Sequence, residues 1–116
     1  MGSTEPRIEI DAFEAVEVRV GTVREVRDFP EARKSLYRLL IDFGPEVGVL
    51  RSAAGLPGRY QPAELEGRQV LAVVNLPPRR IAGFVSECLV LGVPDCDGDP
   101  ILVVPEREVP DGGRLY

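Results

Sequence analysis

The chain has 116 residues, 44% of them hydrophobic and 28% charged, which is enough for one domain with a single core, too little for two, and not the composition of a disordered tail. Fourteen cations, of which Lys34 is the only lysine, stand against 19 acids for a formal charge of −5. Any nucleic-acid binding must therefore rest on a local basic patch and fall steeply with salt. Histidine is absent, which excludes imidazole catalysis and imidazole-ligated metal sites.

Met1–Arg7 is polar and aperiodic and reads as a loose terminus without the apolar core of a signal peptide. Asp11 and Glu14 have capping-box spacing, so a short helical turn is expected there with Phe13 as its buried anchor. From Val16 to Val20 valines alternate with Glu17 and Arg19, the period of a half-buried strand. The apolar phase shifts to Val23 after Gly21, which predicts a bulge or bend at Gly21-Thr22. A connecting loop over Asp28–Ser35 carries Phe29, Pro30, Arg33 and Lys34. Phe29 fits either a core plug or an exposed contact.

Tyr37, Leu39, Ile41 and Phe43 then share one strand face; Gly44-Pro45-Glu46 turns the chain, and Val47–Leu50 returns it. Pro62–Glu66, with proline at its start and Gly67 after its end, reads as a short helix. Val70–Val74 and the run around Cys88–Leu91 are buried strands, and Ile101–Val104 is a last short strand. Asp95, Asp97, Asp99 and Glu106 superficially have calcium-loop spacing, but Pro100 occupies the position that must turn sharply, so the segment reads as an acidic hairpin tip. No metal or cofactor is expected. Cys88 and Cys96 form no scaffold and are expected to be reduced. No apolar run is long enough to cross a membrane, and a cytoplasmic location is expected.

Between the two late strands lies Asn75-Leu76-Pro77-Pro78-Arg79-Arg80-Ile81-Ala82-Gly83. Two prolines fix φ and donate no N–H, so they present adjacent guanidinium groups on a stiff backbone suited to phosphate or carboxylate. Asn75 offers both a donor and an acceptor. The plain alternative is a solvated loop tip. No nucleophile and base can be paired, since Ser52 and Ser86 have no visible partner, so a binding module is expected and not an enzyme.

The words Val74–Gly83 and Ser86-Glu87, with Val18-Arg19-Val20-Gly21-Thr22-Val23 before them, resemble the tRNA-binding domain family. The resemblance implies an all-β, five-stranded OB-fold barrel with a short helix between strands 3 and 4, spanning 13–116 behind an N-terminal extension at 1–12. The element order fits that topology. It also implies RNA contacts at Asn75, Arg79 and Ser86, with Arg80 beside them; Arg19, Arg51 and Lys34 are further cations expected, by inference from their charge, to extend the patch. Free-standing members of the family include export-related chaperones and look like dimers. The expected function is therefore a non-catalytic, homodimeric export chaperone holding unfolded or preprotein segments, with tRNA or structured RNA as the alternative main ligand. Candidate peptide contacts are Phe29, Pro30, Ile81 and Phe84, each of which could equally be core.

Overall fold

A computed structural model describes residues 2–116; Met1, the first residue of the polar terminus, lies outside them. The organising element is β1 (Val18–Asp28), eleven residues long and shared between two partners. Its first half pairs with β4 (Gln69–Val73), from Val18↔Val73 to Thr22↔Gln69, and its second half pairs with β2 (Tyr37–Asp42). The expected break at Gly21-Thr22 falls instead at Arg24, where the register slips between Val23 and Glu25. Gly21 has a different task. A Cβ there would sit 2.7 Å from both Ile41 Cγ2 and Phe43 Cδ1, so glycine is what lets β1 lie against those two buried side chains.

β2 pairs along its length with β3 (Val49–Ala54), completing a meander. α2 (Pro62–Leu65) follows, held by a reciprocal capping box between Gln61 and Glu64 and starting on Pro62. Leu65, fully buried, plugs the barrel from this helix. After β4 come a hairpin of β5 (Arg79–Ile81) and β6 (Phe84–Ser86), the two-residue β7 (Leu89–Val90), and a second hairpin of β8 (Gly92–Pro94) and β9 (Pro100–Leu102). The late apolar run is thus divided between β6 and β7.

The sheet order β3-β2-β1-β4-β7 leaves β3 and β7 as the edges, and these two edges meet. Glu87 N donates to the Arg51 carbonyl at 2.8 Å, and Ser52 Oγ, fully buried, donates to the Cys88 carbonyl at 2.9 Å. The result is a nearly closed five-stranded barrel of the OB type, with its helix between β3 and β4.

Val23, Leu39, Ile41, Phe43, Leu65 and Val70 fill the interior. A second, smaller cluster of Val18, Val20, Leu71 and Val73 lies on the other face of β1 and β4. There the C-terminal segment runs along β1: Gly112 N donates to the Val20 carbonyl, Val20 N to the Gly113 carbonyl, and Leu115 N to the Val18 carbonyl. Burial on both faces explains why β4 reads as an unbroken apolar run instead of an alternating one.

At the N-terminus α1 spans Ile10–Glu14, but Glu9 occupies the N-cap without a side-chain cap, so the Asp11–Glu14 capping box does not form. Phe13 is 40% exposed and is not the buried anchor expected of it, and no residue of α1 is buried. No helix among the described residues is long and apolar enough to cross a membrane.

Candidate ligand-binding face

The segment after β4 is a strand hairpin and not a loose loop. Pro77 and Pro78 lead into β5, and a two-residue turn of Ala82 (φ 47°) and Gly83 (φ 84°) returns the chain into β6. Positive φ at both turn residues is the twist that a tight hairpin requires. Arg79 and Arg80 therefore stand on a paired strand, opposite Ser86 and Val85.

The hairpin is fixed to the barrel by three contacts. Ala53 N donates to Ser86 Oγ at 3.0 Å. The Phe84 ring meets the Phe29 ring edge-on at 5.5 Å between centroids. Arg51 lies 5.6 Å over the Phe84 ring while its Nε reaches Glu87 Oε1 at 3.4 Å, and Arg38 covers the Phe29 ring at 5.4 Å. Of the two readings of Phe29, the core plug holds: the ring is only 5% exposed. Its neighbour Pro30 is exposed.

Between this hairpin and the Glu31–Lys34 loop opens a cleft of about 530 Å³. Leu36, Ala53, Ile81 and Ala82 form apolar walls, and Arg33, Lys34 and Arg79 stand around them with Glu31 as the one acid. A smaller cleft on the other side of Arg79 and Ile81 continues to Leu76 and Leu89. Arg79, Arg80, Arg33 and Lys34 have no hydrogen-bond or ion-pair partner among the described residues, so their charge faces solvent.

The remaining sequence candidates do other work. Arg19, with its side chain 16% exposed, is bound by Glu17 at 2.9 Å, Glu46 at 3.1 Å and the Gly112 carbonyl at 2.8 Å, and it does not line the cleft. Asn75 accepts from Glu17 N at 2.9 Å and donates to the Ala15 carbonyl at 2.8 Å. Ser86 carries the strand contact above, and Arg51 braces Phe84. The acidic hairpin tip is not bare either, since Arg59 pairs with Asp95 and lies 3.9 and 3.7 Å from Asp97 and Asp99.

The sequence reading missed Arg33, Leu36, Ala53 and Ala82 as cleft residues. It also missed a second concavity of about 590 Å³ formed by Ile10, Phe13, Val16, Leu115 and Tyr116, all exposed. The signal available was the spacing of Ile10 and Phe13 on α1, an apolar pair on one helix face with nothing in the chain to cover it.

The family model described as "Putative tRNA binding domain" matches residues 18–114. The chain belongs to this tRNA-binding domain family. Among solved structures, chaperone CsaA from Bacillus anthracis str. Ames is 45% identical with a TM-score of 0.88, the match covering 96% of this chain and all of that one. The CsaA chaperone protein from Picrophilus torridus is 39% identical with the same TM-score, covering 95% of this chain and all of that one. A methionine–tRNA ligase of Bacteroides fragilis is 41% identical over 108 residues, 93% of this chain. The chain spans only 16% of that ligase's length. The tRNA-binding domain family resemblance seen in Val74–Gly83 and Ser86-Glu87 is thus borne out, as is the likeness to chaperones of the CsaA type.

Proposed function

We propose that this chain is a non-catalytic export chaperone that holds unfolded or preprotein segments in the cleft between the β5–β6 hairpin and the Glu31–Lys34 loop. The observation that carries this reading is the pairing of an apolar floor, Leu36, Ala53, Ile81 and Ala82, with the cations Arg33, Lys34 and Arg79 around it. An extended polypeptide can bury apolar side chains on that floor while its carbonyls and carboxylates meet the cations. Two CsaA chaperones share the fold at a TM-score of 0.88. The chaperone works in the cytoplasm without a cofactor. It works as a homodimer joined through the Ile10, Phe13, Val16, Leu115 and Tyr116 surface, where two copies would cover apolar groups that this chain leaves in water.

A second reading has its own support. Three solvent-facing cations around the cleft and Arg80 next to Arg79 in the chain, together with the family match, favour tRNA or structured RNA on the same face. Four neutralised phosphates give a salt slope of about −3, so affinity should fall about sixtyfold between ~50 and ~200 mM salt.

Fluorescence anisotropy of labelled tRNA at both salt concentrations, with an unfolded preprotein as competitor, tests both readings. Arg79→Glu with Arg80→Glu should abolish RNA binding and leave folding unchanged, because neither side chain has a partner in the fold. Competition by the preprotein, with loss of both ligands in the double variant, means one surface serves both. A preprotein that binds normally to the double variant would overturn the assignment of the cleft.

A further inference from the structure

The sequence suggests Asn75 as a ligand contact, but its amide is already committed at both ends. Oδ1 accepts the Glu17 N–H at 2.9 Å, and Nδ2 donates to the Ala15 carbonyl at 2.8 Å. The adjacent Val74 N donates to the Glu17 carbonyl at 2.9 Å. Ala15 and Glu17 flank Val16, which belongs to the apolar surface with Ile10 and Phe13. That surface is tied in from the other terminus, where Arg114 Nη2 donates to the Glu14 carbonyl at 2.7 Å. In the forward direction, Asn75 stands two residues before Pro77 and Pro78, whose fixed φ passes an orientation set at Asn75 on to Arg79 with little slack. Val16 therefore lines one surface while its two chain neighbours, Ala15 and Glu17, moor the segment that leads to the other.

We propose that Asn75 is a positioning residue through which a second copy seated on Phe13 and Val16 fixes the aim of Arg79 and Arg80, and that Asn75 does not itself touch ligand. The inference rests on the cleft and dimer reading above. The chemistry selects asparagine, since the site needs a donor and an acceptor on one planar group. Aspartate would keep the bond from Glu17 N–H and set an acceptor against the Ala15 carbonyl. Serine would be too short to span both groups.

The test uses the full chain carrying Asn75→Ala or Asn75→Asp, each alone and combined with Phe13→Glu. Amide hydrogen exchange over Arg79–Ser86 is followed without ligand, and tRNA and preprotein affinities are measured in parallel. In the parent background Asn75→Ala should speed exchange in the hairpin about tenfold, the loss of roughly one to two net hydrogen bonds, with Val23 and Ile41 amides unchanged. Ligand affinity should fall by a similar factor, and Asn75→Asp should lie between. Phe13→Glu alone should also speed hairpin exchange, and adding Asn75→Ala to it should change little, because the link is already cut. Unchanged hairpin exchange, or equal increments in the two backgrounds, would overturn the proposal. Faster exchange in the core as well would reduce Asn75 to a stability residue and overturn it too. If the parent protein binds neither ligand, the function reading fails while the exchange data still decide the role of Asn75.

Discussion

Replacing Gly21 by alanine sets two known effects against each other. Gly21 does not have positive φ, so the backbone accepts alanine, and the loss of unfolded-chain entropy alone would stabilise the protein by about 0.4–1 kcal/mol. The new Cβ, however, would lie 2.7 Å from Ile41 Cγ2 and Phe43 Cδ1 and 2.8 Å from Phe43 Cε1. Ile41 and Phe43 are both fully buried, so neither can swing into solvent, and overpacking of this kind costs about 1–3 kcal/mol. The clash should win, with a net loss of about 1–2 kcal/mol and a fall in Tm of roughly 4–8 °C for a domain of this size. Urea unfolding of the two proteins should show a lower midpoint at equal slope. A variant as stable as the parent would mean that β1 does not cross Ile41 and Phe43 at this distance, and the packing role given to Gly21 would fall.

The barrel seam is tested at Ser52: Ser52→Ala removes the buried hydroxyl that donates to the Cys88 carbonyl and should cost about 1–3 kcal/mol in the same urea assay. Ala82, at φ 47°, holds a conformation that disfavours a side chain, so Ala82→Gly should raise stability by about 1 kcal/mol, read as a higher Tm. The two thiols should differ sharply in reactivity. Burial pushes the Cys88 thiol up to about 12, whereas Cys96 is exposed, so a disulfide reagent at pH 8 should label Cys96 alone in the folded protein and both after denaturation.

Much of the barrel can be read from local pattern. Alternation gives β1 and β2, and the Pro62–Gly67 asymmetry gives α2 to within a residue, because in these segments one face is buried and the local signal and the packing agree. The hairpin at Arg79 was harder to see. Tight two-residue turns usually announce themselves with asparagine or aspartate before glycine, and here Ala82 takes that position. The roles of Asn75 and Arg19 were not legible at all. Their partners lie far away in the chain: Ala15 and Glu17 are 60 and 58 residues from Asn75, and Gly112 is 93 residues from Arg19. A polar residue in a family motif reads as a ligand contact until the fold shows that a distant backbone segment already occupies it.

The charge balance yields to the same kind of reasoning. A net charge of −5 argues against a nucleic-acid binder only if the charges are spread evenly, and they are not. Arg19, Arg24, Arg27, Arg51 and Arg59 are each held by a carboxylate, so these charges cancel in pairs at their own places on the surface. Arg33, Lys34, Arg79 and Arg80 are left facing solvent, three of them around one cleft with Glu31 as its only acid. Charges more than about 8–10 Å apart across solvent are largely screened at physiological salt. An incoming phosphate or carboxylate at the cleft therefore responds to these cations much more than to the protein's total charge. The Asp95–Asp99 tip adds little opposing field beyond its own surroundings, because Arg59 already sits among its carboxylates. Local pairing, more than composition, decides what this surface attracts.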